Sequence, residues 1–448
     1  MYDLAIIGAG PGGYVAAERA AINGLKTVLI EKDALGGTCL NRGCIPTKSL
    51  LAGAKVYRHS LDSAAMGITG NDVKYDLAAA MHWKDQTVSR LVQGVEFNMK
   101  KAGVEVIRGS AFLESPKSIK ILETDSLVHA KNIIIASGSE PSRVAIPGIE
   151  KNDLVLSSQD LLCLKELPKS IVIIGGGVIG VEFASYFSSL GAKVSLIEML
   201  PEILPFMDAE MTGIYRRTLK AVSIITNASV TSIEGGIVNY IKEGSLSNAD
   251  GEIILVATGR KPAITGLGLE KIGISTGPKG ILTDECCKTN VPGIWAIGDV
   301  TGKSFLAHSA SAMGVAIADM LAGKKASIAW HAMPWVVYGD PEAAGVGMTE
   351  KEAINAGYDI KKVSIPARAN GRFMAEKGIS GHGLVKLVAD KNDGTLLGAH
   401  LLAPYASEII WGMQYAVMNK ARVHELLNII FPHPTISELF YDALKALV

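Results

Sequence analysis

A glycine-rich turn occurs twice in this chain with the same spacing, and it restricts the fold more than any other feature. In Leu4–Glu31 (LAIIGAGPGGYVAAERAAINGLKTVLIE) the glycines are Gly8, Gly10 and Gly13; in Ile171–Glu198 (IVIIGGGVIGVEFASYFSSLGAKVSLIE) they are Gly175, Gly177 and Gly180. In both segments a β-rich run precedes the turn, a small-residue helix follows it, and a second strand ends on an acid, Glu31 or Glu198, 18 positions after the last glycine. Such a turn bends at its first glycine, admits a pyrophosphate against the second and packs helix on strand at the third; the helix N-terminus holds the phosphate and the acid takes the ribose hydroxyls. A single match would also suit a helix-capping turn in any α/β protein. Two in register predict a duplicated βαβ unit that holds two dinucleotides. Glu198 further favours NAD over NADP, because a carboxylate accepts from a 2′-hydroxyl but repels a 2′-phosphate, and no arginine follows it before Arg216.

Further strand-like runs are Ile133–Gly138, Ile253–Gly259 and Ile294–Asp299. From about His331 onward there is no glycine-rich loop, and strand-like Leu384–Asp390 alternates with helix-like Glu408–Met418, which reads as a separate α+β domain. The length of 448 residues suits about three domains at ~150 residues each. Basic and acidic residues balance at 44 each, so there is no electrostatic footprint for nucleic acid. No apolar run approaches the ~18 residues that a membrane span needs. A strand already begins at Tyr2, which leaves no room for a leader and leads us to expect a cytoplasmic protein, although a processed organellar form would look the same.

Five cysteines in a chain of this length do not make a secreted disulfide framework. Two of them are close: Cys39 and Cys44, in GGTCLNRGCIPTK. On a regular helix five residues rise ~7.5 Å, beyond the ~7 Å between α-carbons that a disulfide spans, so a bridge requires distortion. Gly43 and Pro46 are residues at which a helix bends. Zinc and inert buried thiols remain open at this point, though Cys163, Cys286 and Cys287 show no ligand spacing and no metal is expected.

GGTCLNRGCIPTK resembles the redox-disulfide motif of the dihydrolipoyl dehydrogenases, within the class I pyridine nucleotide-disulfide oxidoreductases, and the similarity extends over essentially the whole chain. The resemblance implies an α/β fold with two Rossmann-like dinucleotide-binding domains, for FAD and NAD, plus a C-terminal α+β dimerisation domain. The expected boundaries are 1–145 and 263–330 for the two parts of the FAD domain, 146–262 for the NAD domain and 331–448 for dimerisation. Cys39 and Cys44 become the redox disulfide, Lys48 the lysine beside the reactive flavin edge and Glu182 its ion-pair partner. TNVPGIWAIGD, ending at Asp299, looks like the second flavin motif, whose aspartate binds the ribitol hydroxyls, and Phe305, Leu306, Ala307 and His308 look like the loop under the flavin. Ala111, Ser137, Gly138 and Ser139, with Val230 and Gly259 in the second unit, are further implied cofactor contacts. HPTISE matches the family's HPT-x-x-E motif, making His433 the catalytic base and Glu438 the carboxylate that orients it.

The sequence also departs from the pattern: Phe431 stands where a second histidine is common, and Ser309 and Ser311 replace charged residues often found there. Cys286 and Cys287 match no family function. The expected activity is oxidation of protein-bound dihydrolipoamide with reduction of NAD. The expected partners are a second copy of the chain and the lipoyl-bearing subunits of 2-oxoacid dehydrogenase or glycine cleavage complexes, with no nucleic acid and no membrane. A glutathione-type reductase would call for arginines near position 198 and a mercuric reductase for a cysteine pair at the C-terminus, whereas Cys287 is the last cysteine. A mainly structural role in a multienzyme assembly is the remaining alternative.

Overall fold

The computed structural model describes residues 1–448 except 71, 143 and 151. Both glycine turns open helices, Pro11–Ile22 and Val178–Ser189, each capped by an extended glycine, Gly10 or Gly177. The duplication is larger than the repeated motif. In the first unit parallel strands lie in the order Glu105–Arg108, Thr27–Glu31, Tyr2–Ile7, Ser126–Ile135, with Ile294–Ala296 added beyond the last. In the second the order is Val222–Ile225, Lys193–Ile197, Ser170–Ile174, Ile253–Val256, with Val155–Leu156 added beyond the last. Both units insert an antiparallel meander before the fourth strand: Ala111–Ser115 and Ser118–Ile121 running into Ser126–Ile135, and Ala228–Glu234, Ile237–Lys242 and Ser245–Asp250.

The central strands are apolar runs because both of their faces are covered. Thr27–Glu31 is buried along its whole length, and Ile171, Val172 and Ile173 are fully buried. Each such side chain contributes ~1.5–3 kcal/mol relative to exposure. The helix Ala307–Leu321 packs on Pro11–Ile22 through small residues; a Cβ on Gly314 would lie 2.6 Å from the Gly12 carbonyl oxygen, so the contact excludes even a methyl group. The far end of this pair is tied by Arg19, which donates to both oxygens of Asp319 at 2.6 and 2.8 Å. Arg19, followed by Asn23, lowers the Asp319 pKa to about 2.

The chain crosses between the two nucleotide units as an antiparallel ribbon, Ser139–Pro141 against Arg260–Pro262. The third unit is an antiparallel sheet in the order Trp335–Val337, Glu342–Gly347, Leu396–Ala403, Leu384–Asp390, Ile360–Pro366, covered by the helices Ala406–Met418 and Glu438–Leu447. One hydrophobic cluster runs from Leu50 and Ala54 through Phe183 and Phe187 to Val337 and Leu402, fixing all three units around the helix that carries Lys48. Among the described residues no helix is long and apolar enough to cross a membrane.

Candidate active site

The spacing of Cys39 and Cys44 is resolved by a break. A short helix, Gly37–Arg42, stops at Gly43, which takes φ −145° and ψ −105°, and a new helix, Cys44–Leu61, begins at the next residue. The two Cα atoms are 4.7 Å apart and the sulfurs are joined as a disulfide. Gly43 alone makes the bend. Pro46 lies in the first turn of the new helix, where a missing N–H has no intrahelical partner to lose, so the expectation that it also distorts the chain is corrected. The short helix sits directly on the first glycine turn: Gly36 N–H donates to the Ala9 carbonyl at 2.8 Å, and a Cβ on Gly37 would lie 2.6 Å from Gly10 Cα. Left-handed φ values of +94° at Gly36 and +58° at Gly37 allow this approach.

Four residues beyond Cys44, Lys48 donates to Glu182 at 2.8 Å; Lys48 is 30% exposed and Glu182 only 5%. The other Glu182 oxygen accepts the Tyr338 N–H at 3.1 Å, and the Tyr338 ring centre lies 4.4 Å from the Lys48 ammonium. Lys48, Glu182 and Tyr338 come from the three different structural units. A buried carboxylate without its partners would cost several kcal/mol, so the pair is held by the packing of all three.

The two glycine turns present matching cradles. A Cβ on Gly13 would lie 1.8 Å from the Gly8 carbonyl oxygen and one on Gly180 2.0 Å from that of Gly175, so neither position admits a side chain. Gly8 and Gly175 have φ of +98° and +112° and their Cβ positions point into the next strand, whereas a Cβ on Gly10 or Gly177 would meet nothing within 4 Å. The acids repeat as well. Glu31 accepts from Ala9 N–H at 2.6 Å and Asp33 N–H at 2.8 Å; Glu198 accepts from Gly176 N–H and from Leu200 N–H at 2.7 Å. Their own carbonyls bond Gly109 at 2.9 Å and Ala228 at 3.0 Å, each two residues before an implied contact, Ala111 or Val230. The first arginine after Glu198 in sequence, Arg216, is paired with Glu202 at 2.9 Å.

Asp299 follows the strand Ile294–Ala296 and accepts from the Ser139 hydroxyl, while Arg260 donates to that hydroxyl at 2.7 Å and to the Ser139 carbonyl at 2.6 Å. Burial raises the Asp299 pKa above the usual carboxylate range and lowers that of Arg260. Ser137 donates to Ala263 O at 2.8 Å, Gly138 O accepts from Ala263 N–H at 3.0 Å and Gly259 O accepts from Ser142 N–H at 3.0 Å, so these residues fix the crossing ribbon. Phe305 is 45% exposed, Leu306 caps the helix that Ala307 opens, and His308 bonds Pro334 O at 2.7 Å. An open cradle at each second glycine, a locked acid and a half-buried Asp299 fit FAD on the first unit and NAD on the second.

His433 bonds Glu438 through Nδ1 at 2.9 Å, and the second Glu438 oxygen accepts the Thr435 N–H at 2.8 Å. A carboxylate only accepts, so Nδ1 carries the hydrogen and Nε2 is left to take a proton. The Thr435 N–H, then His433, hold Glu438 below its ordinary pKa. The His433 side chain is 80% exposed, and among the described residues no hydrogen bond or ion pair joins it to the disulfide segment. Phe431 packs its ring 5.6 Å from that of Tyr441; Ser309 is fully buried, and Ser311 donates to Pro11 O at 3.2 Å. Cys287 is buried, which pushes its thiol up to about 12, while Cys163 and Cys286 are exposed. Among the described residues no three His, Cys, Asp or Glu cluster as metal ligands.

Arg260 and Tyr338 were not singled out from the sequence. Arg260 follows Gly259 in ATGR and Tyr338 precedes a Gly-Asp-Pro turn, but the contacts of both depend on tertiary meetings that no spacing encodes.

The family model described as "Pyridine nucleotide-disulphide oxidoreductase" matches residues 2–314, and that of its dimerisation domain matches residues 333–444. The chain is 38% identical over 450 residues to dihydrolipoyl dehydrogenase of Geobacillus stearothermophilus, covering 98% of this chain and 95% of the relative. It is 39% identical over 459 residues to the mitochondrial dihydrolipoyl dehydrogenase of Pisum sativum, covering 99% and 91%. Among solved structures, the HOCl-induced flavoprotein disulfide reductase RclA of Escherichia coli matches with a TM-score of 0.88 and 31% identity over 100% of both chains.

Proposed function

We propose, from the premise that the chain belongs to the pyridine nucleotide-disulphide oxidoreductase family, that it oxidises protein-bound dihydrolipoamide to lipoamide and reduces NAD to NADH. The observation that carries this reading is the Cys39–Cys44 disulfide held at a helix break against the first glycine turn. His433 Nε2 takes a proton from one substrate thiol, and the resulting thiolate attacks Cys39 Sγ. The Cys39–Cys44 bond breaks and Cys44 leaves as a thiolate. The second substrate thiol then attacks the substrate sulfur bound to Cys39, which departs carrying a proton, so the substrate has become a disulfide and the protein a dithiol. FAD and NAD, when bound, supply the two-electron transfer that returns this dithiol to the disulfide. Glu438 keeps the His433 ring in the orientation and tautomer that this requires, and Lys48, held by Glu182, would stand beside the reactive edge of the flavin.

The first unit, with Glu31, Ala111, Ser137 to Ser139, Asp299 and Phe305 to His308, is assigned to FAD. The second, with Glu182, Glu198, Val230 and Gly259, is assigned to NAD. The strands that each sheet draws on support a division into 1–145 with 263–330, 146–262 and 331–448. The dimerisation-domain match supports a homodimer. The exposure of the His433 side chain supports a base that acts on the partner's disulfide. Lipoyl-bearing subunits of 2-oxoacid dehydrogenase or glycine cleavage complexes are the proposed partners, and the cytoplasm the proposed compartment. The test is steady-state turnover of the flavin-loaded homodimer with dihydrolipoamide, glutathione and Hg(II), each with both nicotinamides. Dihydrolipoamide with NAD should exceed every other pairing at least tenfold; faster turnover with another pairing would reject the substrate assignment.

A further inference from the structure

A cavity of about 210 Å³ opens where three parts of the chain meet: the helix Cys44–Leu61, the helix Ala209–Thr218 and the loops of the third unit around Asp340 and His382. Arg58, Arg217, Lys220, Lys377 and His382 line it against a single carboxylate, Asp340. That carboxylate is already shared, since Lys377 bonds it at 2.9 Å and His59 at 2.7 Å. Arg58 is paired outside the cavity with Asp62 at 2.7 Å, and Arg217 and Lys220 have no ion-pair partner among the described residues.

Two of these cations have an ordinary explanation. Arg217 and Lys220 stand at the end of the helix Ala209–Thr218, where the unpaired carbonyls favour positive charge. That does not account for Arg58, Lys377 and His382 arriving from other elements at the same cavity. Burial, then Lys220, Arg217 and Arg368, hold His382 below its ordinary pKa, as expected where the local potential is positive. A neutral His382 keeps one ring N–H to donate, and guanidinium groups offer paired donors that match phosphate oxygens.

We propose that this cavity is a binding site for a small phosphate-bearing polyanion, separate from both glycine turns. The volume of about 210 Å³ equals roughly seven water molecules at ~30 Å³ each, which suits a pyrophosphate or the phosphate end of a phosphate ester and is too small for a dinucleotide. The ligand supplies the negative charge that Arg217 and Lys220 lack and reaches side chains of all three units, whereas Asp340 joins only Lys377 and His59.

The test is calorimetric titration of the flavin-loaded homodimer, saturated with NAD so that the second glycine turn is filled, with inorganic pyrophosphate, orthophosphate and sulfate. Pyrophosphate should bind once per chain and more tightly than orthophosphate or sulfate. The Arg217→Ala/Lys220→Ala double variant alters only exposed side chains, so it should keep wild-type turnover and thermal midpoint while binding pyrophosphate at least tenfold more weakly. Absence of saturable binding, a smaller loss in the variant, or sulfate binding as tightly as pyrophosphate would overturn the proposal.

Discussion

Replacing Glu198 by glutamine isolates the charge held responsible for choosing NAD. The carboxylate both organises the turn, through Gly176 N–H and Leu200 N–H, and confronts whatever occupies the ribose 2′ position. Two unit charges 4 Å apart in bulk water repel by about 1 kcal/mol, so a dianionic 2′-phosphate meets about 2 kcal/mol, and more at a half-buried carboxylate. At ~1.4 kcal/mol per tenfold, Glu198→Gln should raise the NADP-to-NAD ratio of kcat/KM at least tenfold. Glutamine keeps one acceptor oxygen, so the loss of the other, about 0.5–1.5 kcal/mol, weakens both nicotinamides alike and cancels in the ratio. Glu198→Ala loses both acceptors and should lower the thermal midpoint further than Glu198→Gln does. The assay is steady-state thiol-dependent reduction of each nicotinamide by flavin-replete enzyme. An unchanged ratio in Glu198→Gln would refute the electrostatic argument and move recognition of the ribose elsewhere.

Further expectations follow from the same geometry. Mixing inactive Cys39→Ser and His433→Gln homodimers and letting subunits exchange should restore activity, because each heterodimer then holds one intact site; no recovery after demonstrated exchange would exclude a base acting across the dimer. Gly13→Ala puts a methyl 1.8 Å from the Gly8 carbonyl oxygen and should yield protein without bound flavin, whereas Gly94→Ala, in a helix with nothing within 4 Å, should stabilise by ~0.5–1 kcal/mol in thermal melts. The pairing of Asp319 with Arg19 depresses its pKa to about 2, so its stabilisation is complete above the ordinary carboxylate value of ~3.9 and is lost as pH falls through the folded value. Asp319→Asn should therefore flatten the fall in thermal midpoint between about pH 4 and pH 2, and an unchanged fall would assign it to other groups.

The parts of the site legible in the sequence are those encoded by local spacing. Gly13 and Gly180 must be glycine because each helix crosses its own turn, and Glu31 and Glu198 must be acceptors because each turn leaves an N–H facing the next strand; both demands recur at fixed separations. The antiparallel meanders repeat too, but Ala111–Ser115 and Ala228–Glu234 share no pattern, since a meander needs only alternation and many residues supply it. The need for a distortion between Cys39 and Cys44 is legible in the sequence, but Gly43 and Pro46 are equal candidates for it there, because helix propensity does not reveal that Gly43 abandons helical angles altogether. Tyr338 and Arg260 were invisible because their roles arise where distant units meet: Tyr338 offers a backbone N–H and a ring face to Glu182 and Lys48, and Arg260 reaches Asp299 through Ser139.

The central claim is that substrate electrons enter this protein at Cys39 and Cys44. Differential alkylation measures this directly: the oxidised, flavin-loaded homodimer is mixed anaerobically with one equivalent of dihydrolipoamide per chain, quenched with an alkylating reagent and mapped by mass spectrometry. Before reduction the exposed Cys163 and Cys286 should react while Cys39 and Cys44 stay protected by their disulfide. After reduction Cys39 and Cys44 should both become labelled, with lipoamide formed in equal amount and the other cysteines unchanged. Formation of lipoamide with Cys39 and Cys44 still protected, or no lipoamide at all, would contradict the account.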